Sequence, residues 1–138
     1  MIRLKIHRAE FISAEGISVK MIYNESDDML DIFFGENEPA SGIDLTDHIL
    51  LRINRKTGKA VSLTIRHFSV LTEQTEYGPR SYPLGSFDEL PDELRESVIR
   101  AITSSPVNQF LKVTYFQASP TENIPFTYVD PYRLQSVA

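Results

Sequence analysis

The sequence predicts an α+β fold: a small antiparallel β-meander sheet packed against one amphipathic helix, with an extended C-terminal arm. Three observations carry this expectation. Apolar residues alternate with period two between Val19 and Arg66, a helical stripe follows residue 86, and prolines punctuate the chain from Gln117 onward.

The elements follow in order. Residues 2–6 alternate Ile2, Leu4 and Ile6 with Arg3 and Lys5, as a half-buried strand does. In the next strand Val19, Met21 and Tyr23 share a face, and Leu30, Ile32 and Phe34 share the corresponding face of the one after. Between them lies Asn24-Glu25-Ser26-Asp27-Asp28, whose short polar side chains bond the local backbone and favour a hairpin turn. Gly35 to Gly42 reads as a loop around Pro39. The odd positions Ile43, Leu45, Ile49, Leu51 and Ile53 are apolar, but Asp47 falls among them, and burying an unpaired carboxylate costs several kcal/mol. A turn or bulge at Asp47-His48 removes the conflict. Asn54 to Lys59 then forms a turn in which Gly58 supplies a positive φ, and Val61, Leu63 and Ile65 alternate with Ser62, Thr64 and Arg66. Four strands in a meander result.

Residues 72–85 hold Gly78, Pro79, Pro83 and Gly85 and read as an aperiodic connector. A helix is expected over 86–104. Leu90, Leu94, Val98, Ala101 and Ile102 form its apolar stripe, opposite Asp92, Glu93, Arg95, Glu96 and Arg100. Ser86 and Glu89 have capping-box spacing, while Pro91 biases Leu90 away from the helical region and argues for a start at Leu90 or Pro91. Phe110 to Phe116 is a last β-patterned run. Beyond it the arm, residues 117–138, carries Pro120, Pro125 and Pro131, so it is expected to run extended without pairing as a central strand. It either lies over its own domain or packs on a second subunit.

With 138 residues, the chain is expected to be one domain, 1–138, large enough for a continuous apolar core. A net charge of −5 repels phosphate backbones, so no nucleic-acid partner is expected. Arg52, Arg55, Lys56 and Lys59 read as a solvated hairpin tip. The lack of cysteine excludes disulfides, thiolate metal sites and cysteine nucleophiles and suits a reducing compartment. No run approaches the roughly 20 apolar residues of a membrane-spanning helix, and no export signal is legible, so a cytoplasmic location is expected.

Tyr23 to Ile32, followed by Ile49-Leu50-Leu51, the Asn54–Gly58 turn and Val61 to Ile65, resembles the Domain of Unknown Function 2283 family over about residues 19–68. Asp28, Leu30, Ile32, Gly58 and Ile65 fit its pattern of two hairpins. Asn24, Ser62 and Thr64 depart from it, standing where aspartate, glycine and glutamate are usual. The resemblance implies a small β core and, by analogy with some small members, an antitoxin-type partner of small toxin proteins. The segment after residue 70 resembles a C-terminal extension.

No constellation of catalytic spacing stands out. His7, His48 and His67 lack ligand spacing, and Asp27, Asp28 and Asp31 lack the glycine and distal glutamate of a calcium loop, so no metal or cofactor is expected. There is no GxSxG elbow, and Thr57-Gly58-Lys59 precedes a strand instead of the helix of a phosphate loop. The leading expectation is a non-catalytic interaction protein, a homodimer or protein-binding domain. Phe33, Phe110, Phe116, Phe126 and Tyr128 are its candidate partner or subunit contacts. The alternative is a small-molecule-binding or enzymatic domain with a polar site at the sheet edge, built from Asp47, His48, Arg66 and His67.

Overall fold

The computed structural model describes residues 6–72, 74–75, 78–79, 82–84, 89–120 and 122–129, with the side chains of 74–75, 78–79, 83, 114–118 and 122–126 outside the description. It has an α+β architecture. A six-stranded antiparallel sheet is formed by β1 (Ile6–Ile12), β2 (Ser18–Asn24), β3 (Met29–Phe34), β4 (Ser41–Asp44), β5 (Ile49–Asn54) and β6 (Lys59–Arg66). The spatial order is β1-β2-β3-β6-β5-β4. Two three-stranded meanders therefore meet where β3 pairs with β6, and β1 and β4 form the outer edges.

Alternation decides the faces. Val19, Met21, Tyr23, Leu30, Ile32, Phe34, Leu51, Ile53, Leu63 and Ile65 are buried on the inner face. Their neighbours Ile22, Asp31, Phe33, Leu50 and Thr64 are half-buried on the outer one. The hairpin from β5 to β6 turns at residues 55–58, where Gly58 takes φ 74° and its amide donates to the Asn54 carbonyl at 2.7 Å. Val61 is the extra residue of a bulge in that pair. The conflict at Asp47 is relieved as expected: residues 45–48 bend between β4 and β5 and Asp47 is exposed.

After β6 come the one-turn helix α1 (Phe68–Leu71), the short strands β7 (Gln74–Thr75), β8 (Gly78–Pro79) and β9 (Tyr82–Pro83), and then α2 (Asp92–Ile102). Val98, Ala101 and Ile102 bury the stripe of α2 in the core shared with the inner sheet face. The helix is shorter than the expected 86–104. Pro91 sits before it with an extended ψ of 147°, because a residue without an N–H and with a disfavoured helical predecessor opens a helix more readily than it continues one. Ser86, the expected cap, lies outside the described residues.

A 3₁₀ turn (Val107–Gln109) leads into β10 (Leu111–Ser119) and β11 (Glu122–Val129). These form a second sheet of order β10-β11-β9. Several expectations are corrected here. Residues 72–85 are not strand-free, since β7 pairs with β8 and β9 with β11. The arm is not unpaired between 122 and 129: β11 is the middle strand despite Pro125, which lies opposite Tyr115 of β10. A proline is tolerated because β9 reaches only Phe126 and Thr127, leaving the other edge of Pro125 without a ladder to break. The sheet has six strands where four were expected, the additions being β1, whose mixed burial hides its alternation, and β4, severed from β5 by the bend. Of the strand expected at 2–6, only Ile6 is described. Arm residues 130–138 lie outside the described residues.

Candidate functional site

Three turns converge at one end of the six-stranded sheet: residues 25–28, residues 45–48 and the β6 to α1 junction. Register brings them together, because Met29 pairs with Arg66 and Ile65 with Ile49.

The first cluster is built on Asp28. Its carboxylate accepts hydrogen bonds from the Tyr23 hydroxyl at 2.7 Å, the Ser69 hydroxyl at 2.6 Å and the Ser69 amide at 3.0 Å. Its backbone carbonyl accepts from the Phe68 amide at 3.0 Å. Asp28 and His67 both adopt left-handed backbone conformations, with φ of 51° and 56°, a strain the surrounding bonds must hold in place. Burial opposes the charge on Asp28, but the Ser69 hydroxyl, the Tyr23 hydroxyl, the Ser69 amide and nearby His67 outweigh it and hold the carboxyl below its usual range. Tyr23 is pushed up to about 12, first by burial and then by its bond to Asp28 and the charges of Asp28 and Glu25. The Ser69 hydroxyl points its proton at a carboxylate that is a weak base. This geometry anchors α1 on the sheet and does not activate a nucleophile.

The second cluster gathers the four polar residues grouped from the sequence. His48 Nδ1 and His67 Nδ1 lie 3.0 Å apart, a hydrogen bond that needs one nitrogen protonated and the other bare. Tyr82 packs edge-on against His48, with ring centroids 5.1 Å apart. The Arg66 guanidinium donates to the Asp47 carbonyl at 3.4 Å and stands 3.9 Å from the Asp44 carboxylate, while the Arg66 amide donates to the His48 carbonyl at 2.7 Å. His67 and Asp47 are exposed and His48 and Arg66 only half-buried, so water screens this group. Among the described residues, no three histidine or acidic side chains group as metal ligands.

The aromatic candidates separate. Phe110 is fully buried, 6.2 Å from the rings of both Phe11 and Phe34, so it is a core residue and not a surface contact. Tyr128 is half-buried on β11, and the side chains of Phe116 and Phe126 lie outside the described residues. Phe33 is half-buried on the outer face and lines an open cleft of about 690 Å³ with Lys20, Lys59, Val61, Glu36 and Glu38. Sequence reasoning missed the Tyr23–Asp28–Ser69 node, and it missed β1 as an exposed edge. The other acidic candidates are occupied as well, Asp27 by a local bond from Asn24 at 3.1 Å and Asp31 by a cross-strand bond from Thr64 of β6 at 2.6 Å.

Compared with protein-family models, with curated proteins and with solved structures, the chain matches none. No helix among the described residues is long and apolar enough to cross a membrane.

Proposed function

We propose that this chain is a non-catalytic protein-interaction domain of cytoplasmic type, related to the Domain of Unknown Function 2283 family and acting as an antitoxin-like partner protein. The observation that carries the reading is Phe33: an aromatic ring in an open cleft of the outer sheet face, with Lys20, Lys59, Glu36 and Glu38 around it. An apolar ring surrounded by charges of both signs suits a partner that offers an apolar side chain inside a mixed polar rim. The kinship rests on the two hairpins at 19–34 and 49–65, which carry Asp28, Leu30, Ile32, Gly58 and Ile65. The Asp28 node, which joins the turn between β2 and β3 to α1, supports a structural purpose for that aspartate.

The enzymatic alternative has one observation in its favour, the meeting of His48 with His67 beside Arg66 and Asp47. Against it, these groups are solvent-exposed or half-exposed, and the nearby Ser69 hydroxyl is committed to Asp28. An exposed polar group is a poor place to tune acid–base chemistry.

The test is affinity capture from native lysate with the full chain as bait and Phe33→Asp as control. A protein retained in stoichiometric amount by the wild type and lost from the variant is the expected result. Equal capture by both, or none by either, contradicts the reading.

A further inference from the structure

The strand β1, Ile6–Ile12, reads IHRAEFI. It lies at the edge of the sheet, and no described strand pairs with its far side. It contains no proline and no glycine, and its ladder with β2 runs through all seven residues without a bulge. Edges of this length are normally covered or interrupted, because their outward N–H and C=O groups template further pairing. Ile6 and Ile12, at its two ends, are 40% and 65% exposed, unusual for large apolar side chains.

The residue order has an antiparallel symmetry about Ala9. If a second β1 runs antiparallel beside the first, a two-fold axis normal to the sheet keeps each side chain on its own face. Directly opposed residues must then have the same parity. Centring on Ala9 sets Arg8 against Glu10 of the other copy twice, Ile6 against Ile12 twice and His7 against Phe11 twice. Centring on Arg8 sets Arg8 against itself, and centring on Glu10 sets Glu10 against itself; both juxtapose like charges. Arg8 and Glu10 are exposed on the outer face, and the bond that Glu10 accepts from the Ser18 hydroxyl, 3.2 Å long, is itself exposed to water and readily exchanged for a guanidinium.

We propose that β1 is a homodimer interface, in which the occupant of the edge is a second copy of this chain. The two sheets join through an Ala9-centred antiparallel β1 pair into one continuous sheet. The pairing places two Arg8–Glu10 contacts and two Ile6–Ile12 contacts in one outer row. It rests on the reading of the chain as an interaction domain and names self-association as one of its interactions. Phe33 itself lies on β3, with β2 between it and this edge, and although the rim of its cleft reaches Ser18, substitutions at Phe33 and at Arg8 or Glu10 test the two sites separately.

The experiment is size-exclusion chromatography with light scattering on the full chain across a concentration series, for wild type, Arg8→Glu and Glu10→Arg. Wild type is expected at twice the chain mass of 15.7 kDa. Each variant places two like-charge contacts at the centre and is expected to dissociate at concentrations about tenfold or more higher than wild type. An equimolar mixture of the two variants sets the paired acidic side chains of one against the paired basic side chains of the other, and is expected to restore the dimer. That restoration also shows that both variants are folded. A wild-type monomer at every concentration, or a dimer indifferent to both substitutions, overturns the proposal. A monomer that still captures a partner through Phe33 overturns this inference alone; a dimer that captures nothing overturns the partner reading alone.

Discussion

The Tyr23 hydroxyl donates to the Asp28 carboxylate at 2.7 Å across the turn that joins β2 to β3. Asp28 passes the connection on to Ser69 in α1, so one carboxylate ties the β2–β3 hairpin to the exit of β6. Consequences for stability follow from this node.

Tyr23 is expected to titrate at about 12, above the ordinary 10.0, because its proton is retained by burial and by Asp28. The raised value means the folded state binds the proton more tightly than the unfolded one. The contribution is complete below pH 10 and is lost as the pH rises towards about 12. Ultraviolet phenolate titration of wild type and Tyr23→Phe checks this: a phenolate step at about 12 should be present in the wild type and missing from the variant. An unchanged titration curve contradicts the assignment.

Asp28 has the opposite sign. Its folded value lies below the ordinary 3.8, so its contribution is present above that pH and is lost as the pH falls through the lowered value. Asp28→Asn, which tolerates the left-handed backbone but cannot carry charge, should flatten the acid limb of the stability–pH curve. At neutral pH, losing hydrogen bonds to a charged acceptor should cost about 1–3 kcal/mol. Denaturant melts at pH 7 and near pH 3 measure both effects.

His67 holds a φ of 56° that costs any residue with a Cβ. Both His67→Gly and His67→Ala remove the bond to His48, so their difference isolates the backbone. The glycine variant is expected to be more stable by about 1 kcal/mol. Equal melting temperatures would show that the segment relaxes out of the left-handed region.

Phe110 and Phe33 carry contrasting expectations. Phe110→Ala opens a cavity between Phe11 and Phe34 and should cost about 3–5 kcal/mol. Phe33→Ala trims a half-buried ring from the outer face and should cost about 1 kcal/mol or less. Urea denaturation of both variants distinguishes a core residue from a contact residue.

Much of the six-stranded sheet was legible because one face is buried and the other is not, as in Leu63 to Arg66 and Met29 to Phe34. Strand β1 was not, since its inward Ala9 and Phe11 are only partly covered and its outward face ends in isoleucines. Pro125 masked β11, because the sequence cannot say that β9 is too short to need that position. The meeting of His48 with His67 was within reach: a hairpin turning at 55–58 sets residue 49 near residue 65, and both histidines flank that pair. The bond from Ser69 to Asp28 spans 41 residues and depends on β3 lying beside β6, a pairing that no local pattern encodes.

We propose that this chain works through its sheet and not through the polar turns at its end. Hydrogen–deuterium exchange of the chain alone and with its captured partner tests it most directly. New protection is expected in Ser18–Asn24 and Met29–Phe34, around the Phe33 cleft. Protection confined to residues 45–48 and 66–72, around His48 and His67, would contradict it.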